Sequence, residues 1–434
     1  MRARGPHGMS ADLLFLAHRI PYPPDKGDKI RSWHLLAHLA GQFRVHLGCF
    51  VDDPADWQHL AHLRRYCASV YAMPLRPGWR RWYSLTHLAS GGPLTFVYFR
   101  SARLAAWVAR TRAEHRPAIE FACSSAMAPY LGEAGVHSLK VIDFVDLDSE
   151  KWRQYAARKS ALTAWLYRRE ARLLGAAERA LMRSADLGLF VSALEVEEMR
   201  RRCPAARDRI HSIENGVDSD YFDPQRCFDR PAAAGGPALV FTGAMDYWPN
   251  VDAVRWLAET VLPRVWAVLP EVRLWVVGSR PTPEVCRLAR DPRITVTGRV
   301  ADVRPWLAAA DLAVAPLRIA CGVQNKVLEA MAMAKPVVCT SPALSGIAAA
   351  AGREVVVADD AAALAAIVVD LLGDAPRRQR LGAAARQRIL ERYHWRQCLA
   401  DLDRLLELPG RRPLAITAPV AAASPAAAFL PKAG

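Results

Sequence analysis

Lys326 and Glu329 stand three residues apart in a stretch where Val327, Leu328 and Met331 recur at helical spacing. A helix over 323–333 therefore puts an ammonium and a carboxylate on one face. Arg318 and Gly322 precede them in a short loop. Backbone N–H groups at a helix start are unpaired and aimed outward, so the place suits an anion such as a diphosphate. Arg318 and Lys326 can add charge-assisted bonds to phosphate oxygens. Asn325 sits at the same helix start and joins this donor-binding set. The Glu329 carboxylate can accept hydrogen bonds from two neighbouring hydroxyls, as a ribose offers, and Gly322 has no Cβ to hold a ligand away from the backbone. An ordinary helix with a surface Lys–Glu pair has the same spacing, and spacing alone leaves both readings open.

The elements around these residues are legible. Leu312–Pro316 has the length and composition of a buried parallel strand, Lys335-Pro336 stops the helix, and Val337–Cys339 is the next buried strand. The same alternation runs through the chain. Leu13–Ala17, Val45–Phe50, Ser69–Met73, Ile119–Cys123, Leu139–Asp143 and Leu187–Val191 are candidate strands in the N-terminal half. The run opening at Ala238, then Arg273–Val277, Ile294–Thr297, Leu312–Ala315, Val337–Cys339 and Val355–Val357, are those of the C-terminal half. Strands separated by helical patterns predict α/β domains with parallel sheets.

The stretch Asp311–Thr340 resembles the signature of the retaining, GT-B-fold glycosyltransferases of family 4, where two glutamates separated by seven residues precede a helix ending in "EAMA". Glu329-Ala-Met-Ala332 matches the second glutamate, which in the family holds the ribose of the sugar nucleotide. The first falls at Cys321, a departure from the pattern. PLRIACGVQNKVLEAMAM is most similar to sugar transferases associated with PEP-CTERM/exosortase exopolysaccharide systems. The resemblance runs from about Leu13 to Leu408.

It implies a GT-B architecture: two Rossmann-like parallel-sheet domains facing a cleft, with a C-terminal helix crossing back to the first. It also implies that the loop at Gly27 faces the donor diphosphate. Relatives carry an Arg and a Lys soon after the glycine matching Gly243; here Met245–Asn250 contains no cation, so Arg318 and Lys326 are expected to supply the charge as catalytic groups. Arg299 lies near the expected base-binding region. Ser124 and Ser125 stand where many relatives have a histidine. By the rule that ligands gather at the C-terminal ends of strands, Gly243 is expected to approach the donor phosphate, and Asp143 and Asp146 to orient acceptor hydroxyls. The two acids equally fit capping of a helix near Ser149.

The chain has 434 residues, 52% of them hydrophobic, which excludes a disordered protein and requires more than one domain. The reading is an N-terminal acceptor-side domain over 1–191, a linker over 192–214, a nucleotide-sugar domain over 215–385, crossover helices over 386–408 and a disordered tail over 409–434. Nine scattered cysteines without a C-x-x-C pair read as core residues of a reducing compartment. No zinc spacing and no Asp-x-Asp pair placed for a divalent ion is present, so no metal and no cofactor is expected beyond the donor substrate. No run reaches a membrane span, and the first apolar run reads as a strand and not a signal peptide, which implies a cytoplasmic protein.

The net charge of +15 is uneven. Residues 76–116 hold eight Arg against one acid, and 151–183 nine Lys/Arg against two. Both segments interleave Trp and Tyr, the composition of a peripheral contact with an anionic membrane surface, or of a solvated basic face. No nucleic-acid-binding motif accompanies them. The expected activity is transfer of a sugar from a nucleotide-diphosphate sugar to a glycan or lipid-linked glycan acceptor in cell-surface polysaccharide synthesis. The rivals are a catalytically silent sugar-nucleotide-binding subunit and a GT-B nucleotide-sugar epimerase.

Overall fold

The computed structural model describes residues 11–88, 91–132, 138–157, 160–232, 235–320 and 322–407. The chain divides into two units, one running to Ile213 and resuming at Asp401, the other spanning Glu214–Ala400.

In the first unit, β1 (Asp12–Ala17), β2 (Arg44–Val51), β3 (Ser69–Pro74), β4 (Ile119–Cys123), β5 (Leu139–Val145), β6 (Leu187–Phe190) and β7 (Ile210–Ser212) form one sheet in the order β3-β2-β1-β4-β5-β6-β7. All its pairings are parallel. Parallel strands are covered on both faces, so they must be apolar throughout, and Leu13–Ala17 is wholly buried. In the second unit, β8 (Ala238–Thr242), β9 (Arg273–Val277), β10 (Ile294–Gly298), β11 (Leu312–Ala315), β12 (Val337–Cys339) and β13 (Val356–Val357) form a parallel sheet in the order β10-β9-β8-β11-β12-β13. Strand order reverses between β1 and β4 in one sheet and between β8 and β11 in the other. Crevices for ligands open at such points, outside the carboxyl ends of the strands.

Every run expected as a strand is one. β7 was not foreseen: three residues with a histidine in the middle carry no periodic signal, and only pairing with β6 (Gly188↔Ile210) makes them a strand. Residues 192–214 are accordingly not a linker. Ser192 caps the helix Ala193–Arg202 by accepting from the Glu195 N–H, and β7 completes the first sheet.

Asn215-Gly216 leads into the second unit, where a Cβ on Gly216 would lie 2.8 Å from Cα and Cδ2 of Trp395. Only glycine lets these chains pass, and Val217 N then donates to Tyr393 O at 2.7 Å. The helix Ala375–Arg388 runs through a widened turn, Ile389–Tyr393, before Trp395–Leu405. This last helix begins in the second unit and ends in the first. There Asp403 Oδ1 lies 2.6 Å from His38 Nε2 and 2.8 Å from Gln42 Nε2. The tail over 409–434 lies outside the described residues.

Candidate functional site

The second unit gathers its polar residues at the reversal between β8 and β11. β8 ends at Thr242 and Gly243 follows with φ +149°, a backbone that side chains avoid. A Cβ there would lie 2.7 Å from Asn250 Nδ2 and 3.3 Å from Lys326 Cε. On the adjoining strand end, a Cβ on Gly278 would meet Gly243 O at 1.6 Å. Two strand ends therefore cross so closely that both positions require glycine.

The helix expected over 323–333 is Asn325–Ala332. Val323 and Gln324 belong to the approach loop, because Gln324 is extended and acts as the cap residue without a side-chain cap bond. Asn325 and Lys326 thus form the first turn, where N–H groups lack helical partners. Gly322, with φ +65°, turns the chain into this start. Lys326 Nζ donates to Asn250 Oδ1 at 2.7 Å and lies 5.2 Å from the centroid of the Phe241 ring. Asn250 in turn donates from Nδ2 to Ala244 O at 2.8 Å, which locks its orientation. Asn250 carried no sequence signal of its own; it is 4% exposed. Asn325 Oδ1 is buried and has no hydrogen-bond partner among the described residues, an acceptor awaiting a donor.

Lys326 and Glu329 lie one turn apart and act on each other electrostatically. Burial pushes the Glu329 carboxyl up to about 7, the Lys326 charge opposing it. Burial draws the Lys326 ammonium down to about 8, with Glu329 opposing. Neither is fully exposed, and each is close to its point of charge change at neutral pH. Tyr221 belongs to the same neighbourhood: burial first, then Asp302 and more weakly Glu329, push its hydroxyl up to about 12. The Arg304 guanidinium lies over its ring at 3.7 Å.

Two candidates stand apart. Arg318 is exposed and held by Asp252, its Nε donating to Oδ2 at 3.0 Å and its terminal nitrogen to Oδ1. Its charge is thus already matched by a carboxylate. Arg299 is exposed just beyond β10, the edge strand, two strands from β8 and so about 10 Å away across the sheet. Cys321 lies outside the described residues.

In the first unit the reversal between β1 and β4 brings together residues that the sequence reading did not combine. Gly27 opens the helix Gly27–Ala40. Asp28 Oδ2 accepts from Arg19 at 2.6 Å and lies 3.1 Å from His18 Nε2. Burial would raise Asp28, but His18 and Arg19 outweigh it and hold its carboxyl far below the usual range. Arg19 also pairs with Asp52 at 3.3 Å.

Asp143 does not take the acceptor-orienting place expected of it at the strand end. It is fully buried and receives both Nε and a terminal nitrogen of Arg31 at 2.8 Å each. Arg31 also donates to Ile213 O at 2.8 Å. A carboxylate so enclosed braces the sheet and cannot touch an acceptor. Asp146 is part-exposed beyond Val145, which has a left-handed φ of +66°. Burial pushes Asp146 up, with Lys151 opposing. Burial and then Asp146 push Glu195 up to about 8. Asp148, not Asp143 or Asp146, begins the helix Asp148–Ala156.

The basic segments meet in this unit. Glu170 of the helix Ala161–Ser184 accepts from the N–H groups of Leu94 and Thr95, both at 2.9 Å, and Arg80 donates to Arg100 O at 2.6 Å. The short helix Leu94–Phe99 thereby ties Pro77–Thr86 to Ala161–Ser184. Exposed on the first helix are Trp79, Trp82 and Leu85, and on the second Leu162 and Trp165. Each set recurs every three residues and so shares a face. Among the described residues no helix is long and apolar enough to cross a membrane.

Residues 236–374, the second sheet and its helices, match the family described as "Glycosyl transferases group 1". No curated protein matches the sequence. Among solved structures the chain is similar to Anabaena HepE in complex with UDP and glucose, with a TM-score of 0.62 and 16% identity over 91% of this chain and 99% of that one. It is similar to sucrose-phosphate synthase from Thermosynechococcus elongatus, at 0.64 and 16% over 91% and 98%. It is also similar to WaaG, a glycosyltransferase involved in lipopolysaccharide biosynthesis, at 0.60 and 16% over 91% and 100%. These likenesses concern the fold, which is the GT-B fold with two parallel-sheet domains.

Proposed function

From a chain of GT-B fold whose residues 236–374 match the family described as glycosyl transferases group 1, we propose a retaining glycosyltransferase. It moves a sugar from a nucleotide-diphosphate sugar to a glycan or lipid-linked glycan acceptor. The observation that carries the reading is Lys326 Nζ, fixed on Asn250 beside Gly243, with the Asn325 helix start before it and Glu329 one turn on. Transfer needs the leaving diphosphate stabilised and both substrates held, which is positioning and electrostatics. Lys326 and the free N–H groups of the helix start supply positive potential beside the glycine, where relatives place their cations. Glu329 takes the ribose hydroxyls. Arg318 joins only by leaving Asp252. The transfer uses no metal, since protein groups meet the diphosphate charge.

A UDP-sugar donor is supported by HepE, solved with UDP and glucose, and a cell-surface polysaccharide product by WaaG. The exopolysaccharide setting rests on the sequence resemblance around PLRIACGVQNKVLEAMAM. Peripheral attachment to the cytoplasmic face of an anionic membrane is supported by the Trp-bearing basic surface of the first unit, and would bring a lipid-linked acceptor to the enzyme.

The test is release of nucleoside diphosphate from UDP- and GDP-sugars with a lipid-linked glycan acceptor, in EDTA. Steady release that depends on acceptor is expected. Binding without release would leave the silent subunit, and isomerised free donor the epimerase.

A further inference from the structure

We propose that Asp12, His46 and His115 form a site for one divalent transition-metal ion, Zn2+ first among them, at the N-terminal edge of the seven-stranded sheet. Asp12 opens β1, His46 is the third residue of β2, and His115 ends the helix Ala102–His115. One ligand atom from each lies within 4.8 Å of the others. Within the first unit, the residues gathered at the reversal between β1 and β4 lie at the opposite, C-terminal ends of the strands, so this site is separate from them.

The donor set is that of a borderline ion: two imidazoles and a carboxylate, with a fourth position for water. His46 Nε2 faces Asp12 Oδ1 at 2.7 Å, and its other nitrogen lies 2.8 Å from Ser69 Oγ. Ligating histidines are held in this way by an oxygen on the far ring nitrogen, which fixes the orientation of the ring. The His115 ring stacks on His46 at 4.2 Å with 17° between planes. Both rings cannot point at one ion in that pose. His115 must turn about its own side chain, and at 34% exposure it has room. Arg44 opposes binding, since Nε and a terminal nitrogen hold the two Asp12 oxygens at 2.6 and 2.8 Å. Glu114, 3.9 Å from His115 Nε2, favours positive charge at the site.

These opposing contacts make the test specific. The full-length protein, stripped with EDTA and dialysed, is titrated with ZnCl2 by calorimetry and with CoCl2 by visible absorption. One equivalent should bind, raise the Tm and leave nucleoside-diphosphate release unchanged. His115→Gln, on the surface and outside the core, should fold normally and lose about tenfold or more in affinity. Arg44→Gln should bind more tightly, because it frees Asp12. The proposal is overturned if no stoichiometric binding occurs, or if His115→Gln binds as the parent does, which would place the ion on other residues.

Discussion

Lys326 Nζ reaches across from the helix after β11 to Asn250 Oδ1, 2.7 Å away, on the helix after β8. The bond holds a cation over Gly243 in advance of any ligand, and the freedom it removes need not be lost on binding. Lys326→Ala and Glu329→Ala should each weaken nucleotide binding by about 1–3 kcal/mol, the scale of a lost charge-assisted hydrogen bond. Asn250→Ala should cost less, since it releases the lysine without removing it. Calorimetry with UDP and GDP measures all three, and unchanged affinity in folded Lys326→Ala and Glu329→Ala would remove the donor site from this helix.

The two shifted groups set a pH profile. Glu329 ionises as pH rises through about 7, gaining strength as an acceptor for ribose hydroxyls. Lys326 discharges as pH rises through about 8, losing its attraction for diphosphate. Affinity of the free protein should therefore rise through the first value and fall through the second. Glu329→Gln should flatten the acid limb alone. A profile with the same acid limb in that variant assigns it to another group.

The loop cation is tested through its partner. Asp252→Asn releases the Arg318 guanidinium and should tighten nucleoside diphosphate binding. Arg318→Ala should slow nucleotide release by about tenfold, roughly 1.4 kcal/mol of transition-state stabilisation. If neither variant changes binding or initial rate, Arg318 serves only to anchor Asp252.

Arg31 and Asp143 should behave as structure. Arg31→Met leaves a buried carboxylate unpaired and should cost about 3–5 kcal/mol in denaturant unfolding. The double variant Arg31→Met, Asp143→Leu should recover much of it, with donor affinity unchanged. A folded Asp143→Asn with normal stability but a raised acceptor KM would restore the acceptor role denied here.

The membrane surface is read with vesicles. Protein should bind vesicles rich in anionic lipid and release as salt rises, because the attraction is screened beyond about 8–10 Å near physiological ionic strength. Replacing Trp79 and Trp82 together by Ala should weaken binding by about tenfold or more, while nucleotide affinity stays unchanged. Equal binding to neutral vesicles, or none to either, leaves a solvated basic face.

By itself the sequence determined the strands, their parallel order of burial and the helix carrying Lys326 and Glu329, because those depend on local periodicity and on apolar runs long enough to be covered on both faces. It also determined glycine at 243, though not why: the crossing of two strand ends at Gly243 and Gly278 is a contact between residues 35 apart. Only the tertiary structure made a strand of Ile210–Ser212, since three residues acquire that conformation from a neighbour. Only it separated Asp143 from Asp146, which read alike at a strand end until Arg31, 112 residues earlier, enclosed one of them. The same holds for Asn250 beneath Lys326, Asp252 on Arg318, and the meeting of two basic segments through Glu170. Partners of charged groups are chosen by where strand order places distant segments, and no local pattern encodes that choice.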